Sequence, residues 1–165
     1  MYEISNTHPA HKGMGTTLVA VHVSRAEGQI HIAHVGDSRC YRIRGGKIEQ
    51  LTRDHSLIGD ALAWKPDLTE AELSLLPKNI ISRALGRGKS VEIDLRTEPI
   101  AVGDMFVLCS DGLSGMVNDA GILALATAGP APQESCQALI AAANEAGGTD
   151  NVTAVVIRID AGSDA

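Results

Sequence analysis

The chain has 165 residues, a length expected of a single domain with a core that needs no staples. Fourteen Lys and Arg against twenty Asp and Glu give a net charge of −6, which excludes a basic nucleic-acid surface. With one Trp, one Phe and two Tyr, the core must be built from Val, Ile, Leu and Ala. Cys40, Cys109 and Cys136 are odd in number and lack metal-ligand spacing, so they read as reduced thiols of a cytoplasmic protein. No apolar run approaches the ~18 residues of a membrane span, and the N-terminus has no signal pattern.

Residues 1–12 are polar and without period, which predicts a frayed end. Thr16–Val23 is rich in β-branched residues and predicts a strand, and Gln29–Val35 a second, central one with apolar side chains on both faces. Gly36-Asp37-Ser38-Arg39 interrupts the pattern. Tyr41–Arg44 and Lys47–Leu51 flank Gly45-Gly46, a hairpin signal, so the chain to this point reads as one antiparallel meander.

Asp54 is placed to cap a helix carrying Leu57, Ile58, Ala61 and Leu62, and Thr69 with Glu72 predicts a capping box for a short helix ending before Pro77. Residues 55–79 therefore form an excursion from the sheets. Val91–Thr97, Met105–Cys109 and Val152–Ile159 are further strands, and helices are expected over about 119–127 and 133–146. Consecutive strands with late helices give an α+β domain with antiparallel sheets, spanning residues 1–165.

Chemistry concentrates where apolar runs meet aspartates. Asp111 follows Val107–Ser110, and Asp150 precedes the last strand. If these strands are antiparallel neighbours, both carboxylates emerge at one edge, a place suited to Mg²⁺ or Mn²⁺. Gly112 and Gly148 let the backbones approach, and Asp37 is a third candidate for the same edge. Metal-held water there is a usable nucleophile for phosphoryl displacement. An Asp beside a Gly is more often a plain turn residue, and Asp104 and Asp119 are read as turn and cap. The histidines lack zinc spacing, and His31 and His34 cannot share a strand face.

Gly13-Met-Gly-Thr-Thr17, Val35-Gly-Asp-Ser-Arg39, Leu51-Thr-Arg-Asp-His-Ser56, Ile81-Ser-Arg-Ala-Leu-Gly86, Leu108-Cys-Ser-Asp-Gly-Leu113 and Gly148-Thr-Asp-Asn-Val-Thr153 occur in that order. In this the chain resembles the metal-dependent serine/threonine phosphatases of the PP2C (PPM) family, most closely the bacterial branch. The resemblance implies a two-layer antiparallel β-sandwich flanked by helices, with a Mg²⁺/Mn²⁺ site whose bridging water attacks phosphorus directly. It implies that Asp111 and Asp150 hold a core metal, that Asp37 with Asp111 holds a weaker one, and that Gly112, Asn151 and Ser38 belong to the supporting loops. No catalytic residue is assigned.

Residues 55–79 correspond to the family's flap, which affects substrate access. The implied substrates are phosphoserine and phosphothreonine proteins. The family's N-terminal segment has no counterpart in this sequence. That segment supplies a phosphate-gripping arginine, a metal-bridging Asp-Gly, in some members a histidine, and two helices over one sheet. The expected consequences are an N-terminally truncated fold, a partial metal site, and an uncovered sheet face that drives homodimerisation or is covered otherwise. The alternatives are a catalytically weak or inactive phosphatase-like binding module and a fragment of a longer phosphatase.

Overall fold

A computed structural model describes residues 1–77 and 80–161. Its frame is two antiparallel sheets. The first is formed by β1 (Leu18–Ser24), β2 (Gln29–Val35) and β5 (Asp94–Pro99), in the order β1-β2-β5. The second is formed by β3 (Arg39–Arg44), β4 (Lys47–Gln50), β6 (Met105–Cys109) and β7 (Ala154–Arg158), in the order β4-β3-β6-β7. β2 is central, as its two apolar faces predict.

The single meander expected over residues 16–51 does not exist. The chain leaves the first sheet at Gly36 and enters the second at Arg39, so the Asp37 turn is a crossing between layers. The interruption at Gly36-Asp37-Ser38-Arg39 reads equally well as a turn within one sheet, which hides the crossing from the sequence. Gly45 and Gly46, both at positive φ, make the expected tight hairpin of β3 and β4.

The core has two parts because β6 is buried on both sides. Phe106 and Leu108 point between the sheets and join Ile30, Ile32, Cys40 and Leu51. Val107 and Cys109 point the other way, with Tyr41 and Ile43, against helices α5 (Asp119–Ala128) and α6 (Pro132–Glu145). These helices present Ile122, Ala126, Leu139 and Ala143 at helical spacing. Burial pushes the Cys40 and Cys109 thiols up to about 12, so both stay protonated and act as small apolar residues.

α5 and α6 cover only the second sheet. On the first, Val19, Val21 and Val23 pack inward, leaving Ala20 and His22 outward. Leu18 is 50% exposed and Leu95 79%, and His22 stacks on its cross-strand partner His31. That face is open in a single chain.

Local corrections have physical reasons. Residues 2–7 are not frayed but form α1 (Tyr2–Thr7), followed by a 3-10 turn, Pro9–His11. Buried Ser5 anchors them by accepting the Gly13 N–H at 3.0 Å, and fewer than two turns leave no period to read. α2 (Leu57–Trp64) is capped by Ser56, which accepts the Gly59 N–H, and not by Asp54. α3 (Glu70–Ser74) has the predicted Thr69–Glu72 capping box. Ordered strand begins at Asp94 and not at Val91, and Asn118, not Asp119, caps α5. α4 (Asp111–Ser114) is a single helical turn directly after β6. The end of the 55–79 excursion, residues 78–79, lies outside the described residues.

Asp104 is more than a turn residue. Its side chain is 1% exposed and receives two Arg44 hydrogen bonds at 2.6 Å and the Ala101 N–H at 2.8 Å. Burial alone would raise its carboxyl, but Arg44 and the Ala101 N–H outweigh it and hold the group below the ordinary range. Its stabilising effect is therefore complete above the usual Asp range near 4 and is lost as pH falls through the lowered folded value. Arg44→Met is expected to cost about 2 kcal/mol in urea unfolding at neutral pH and to flatten this acid limb. The figure is below the roughly 3–5 kcal/mol of a fully buried pair because Arg44 is itself 41% exposed.

Candidate metal centre

Strand register brings the candidate acids together. Arg39 pairs with Cys109, and Cys109 with Ala154, so one row crosses β3, β6 and β7. Just beyond that row lie the 36–38 crossing, the 110–112 turn and the 150–153 segment, side by side. The join is explicit: Ser110 N–H donates to the Thr153 carbonyl at 3.2 Å, and Thr153 N–H to Ser110 Oγ at 3.0 Å. A Cβ at Gly112 would fall inside the van der Waals shell of the Asn151 carbonyl oxygen, so only glycine permits this approach. Asp111 and Asp150 are both exposed, and Asp150 Oδ1 accepts the Asn151 N–H at 2.7 Å.

Asp37 is half-buried at the crossing. Its carboxyl is raised first by burial, then by the negative charge of Asp111, with Asp54 adding less. A carboxylate raised by burial and by a second carboxylate beside it belongs to a donor set that a cation would relieve, and an all-oxygen set suits Mg²⁺ or Mn²⁺. Ser38 Oγ and Thr17 Oγ1 are 2.9 Å apart and tie the crossing to the segment before β1. The oxygens of Asp37, Asp111 and Asp150 do not all lie within 4.8 Å of one another.

Among the described residues, the tight cluster of potential ligands is another one: His34, His55 and Asp94. Sequence reading passed over it, because Asp54-His55-Ser56 looked like a helix start. The signal available was the place of His55 in a recurring motif. Its chemistry argues against a metal. His55 Nδ1 accepts the Gly36 N–H at 3.1 Å, so Nε2 carries the ring proton and has no lone pair to offer. Burial lowers the affinity of this imidazole for a second proton, and Arg83 and His34 lower it further against the opposing pull of Asp94.

Similarity to known proteins gives the family. Residues 2–57 match the profile of Protein phosphatase 2C. The serine/threonine phosphatase PstP/Ppp of Mycobacterium tuberculosis superposes with a TM-score of 0.85 at 35% identity, over 97% of this chain and 68% of that one. The chain belongs to the protein phosphatase 2C family. A structure of the PstP catalytic domain in complex with 2 manganese ions gives a TM-score of 0.83 at 35% identity, covering 97% of this chain and 66% of that one. The serine/threonine phosphatase stp of Listeria innocua is 39% identical over 146 residues, 88% of this chain. The chain spans 57% of that relative's length.

As a family member, the chain links its recurring motifs into one hydrogen-bonded network. Thr16 and Leu85 exchange backbone hydrogen bonds, Ser82 N–H donates to the His55 carbonyl, and His55 N–H donates to that of Gly36. Arg39, next to the Asp37–Ser38 pair, places its guanidinium on Asp54 and on the Tyr41 hydroxyl.

Proposed function

We propose that the chain hydrolyses phosphate monoesters of serine and threonine in proteins, using Mg²⁺ or Mn²⁺. The observation that carries this reading is the meeting of the Asp37, Asp111 and Asp150 segments along one sheet edge, with Asp37 and Asp111 close enough to feel each other's charge. Asp111 and Asp150 would hold one cation, and Asp37 with Asp111 another; Gly112, Asn151 and Ser38 shape the loops that carry them. The cation supplies a water made nucleophilic near neutral pH and neutralises phosphoryl oxygens. The reaction takes up one water and releases the alcohol and inorganic phosphate.

Residues 55–79 act as a flap in this reading. A cleft of about 320 Å³ between α2 and the sheet edge, lined by Gln50, Thr52, Ile58 and Leu62, offers room for residues flanking the phosphorylated one. The test is p-nitrophenyl phosphate and phosphopeptide hydrolysis by pure protein. Turnover is expected with Mn²⁺ and is expected to vanish with chelator.

The alternative is a phosphatase-like binding module without turnover. Phosphopeptide binding without Mn²⁺-dependent turnover would select it. We further propose a homodimer that covers the open face of the first sheet. On that face Leu18, Ala20, Ala33 and Leu95 offer apolar surface without a formal charge, which a second copy would cover. Light scattering is expected to give twice the chain mass, and Leu95→Lys the single mass; a monomer that binds no hydrophobic dye overturns this. The free cysteines, two of them buried, support a cytoplasmic location.

A further inference from the structure

The Asp37 crossing has no sheet partner of its own, and something must hold it. Gly36, immediately before Asp37, is gripped at both backbone polar groups by one residue. Its N–H donates to His55 Nδ1 at 3.1 Å, and its carbonyl accepts the His55 N–H at 2.9 Å. Gly36 also sits at φ +107°, a conformation costly for any other residue, with Thr17 filling the space a side chain would need.

His55 is 0% exposed, and its orientation is fixed on the far side. Nε2 faces Asp94 Oδ2 at 3.2 Å, a charge contact without hydrogen-bond alignment, and has no hydrogen-bond partner among the described residues. Asp94 is held in turn by Arg83, whose Nη1 donates to Oδ1 at 2.7 Å. His34 stacks on the imidazole at 4.6 Å between centroids and donates Nε2–H to the Arg53 carbonyl at 2.8 Å, which closes off the ring face. The relay therefore runs from the Gly36 N–H through the ring of His55 to Asp94 and Arg83. The neighbouring contacts point the same way: Cys40 N–H donates to Thr52 Oγ1, and Arg39 pairs with Asp54, so the 51–56 segment pins the crossing on both sides of Asp37.

We propose that His55 is the positioning residue of the metal centre: as the Nε2–H tautomer, oriented by Asp94, it holds the Gly36-Asp37 turn so that Asp37 faces the Asp111 carboxylate. The proposal rests on the reading of Asp37 as a metal ligand. His55 touches neither substrate nor cation and acts through the backbone, as outer-shell partners of ligands do, so its loss is expected in cation affinity rather than in substrate binding.

The test is Mn²⁺ titration by calorimetry on the whole chain. His55→Leu, which has neither acceptor nor donor, is expected to weaken Mn²⁺ binding by roughly 10–100-fold. His55→Asn places an amide oxygen where Nδ1 stood and is expected to recover most of that loss. At saturating Mn²⁺ the KM for aryl phosphate stays at the wild-type value, whereas the Mn²⁺ concentration needed for half-activation rises. Should His55→Leu fail to fold, the wild-type chain still decides, because long-range ¹H–¹⁵N NMR must find the ring proton of His55 on Nε2. A proton on Nδ1, or His55→Leu binding Mn²⁺ like wild type, overturns the proposal alone. A wild-type chain that binds no Mn²⁺ overturns it together with the metal reading of Asp37.

Discussion

Asp111→Asn is expected to lower Mn²⁺-supported hydrolysis of p-nitrophenyl phosphate by more than about 100-fold, a larger loss than changes at residues that only support a ligand give. The reason is that Asp111 belongs to both proposed cation positions. It stands at the end of β6 beside the Asp150 segment, and its charge reaches Asp37. Replacing a carboxylate by an amide of the same shape leaves packing untouched and removes the charge that draws the cation. Asp119→Asn is the control, since that residue is exposed on the first turn of α5 and should leave hydrolysis unchanged. Equal activity of Asp111→Asn and wild type across a Mn²⁺ series would remove Asp111 from the site.

Gly112→Ala carries the largest expected effect on stability. The added methyl meets the Asn151 carbonyl oxygen, a backbone atom that cannot swing aside as a side chain end can. Either α4 or the 150–153 segment must shift. A cost of about 3 kcal/mol is expected, near the top of the usual range for overpacking. In a chain of this size that corresponds to a melting temperature lower by roughly 6–12 °C. Because the segment that moves carries Asp150, the apparent Mn²⁺ affinity should fall even at temperatures where the variant remains folded. A variant that melts within a degree of wild type would show that the approach of these loops is not as tight as the structure has it.

Much of this architecture was legible in the residues. Apolar and β-branched runs located the strands from Gln29, Arg39 and Met105 to within a residue or two, because each packs at least one face on a core. The Gly45-Gly46 hairpin and the Thr69 capping box were legible because they are made by local hydrogen bonds. What remained hidden depends on distant partners. Nothing local at Asp37 says that the chain changes sheets there. Asp54 looked like a helix cap because the arginine that claims it, Arg39, lies fifteen residues earlier on another strand. His55 was silent for the same reason: its partners Gly36 and Asp94 come from the crossing and from the first sheet. The acids and a divalent cation between them were suggested by spacing, but which acids share which cation came only with the family resemblance.

The scarcity of aromatics has a practical corollary. The chain's single indole, Trp64, ends α2 and is 88% exposed, far from either core. Selective excitation of tryptophan therefore interrogates the 55–79 excursion and nothing else in the molecule. α2 starts directly after Ser56, so its base is continuous with the segment that clasps the Asp37 crossing. Emission from an unlabelled sample thus provides an optical gauge, sited at the outer end of that helix, for whatever docks against it.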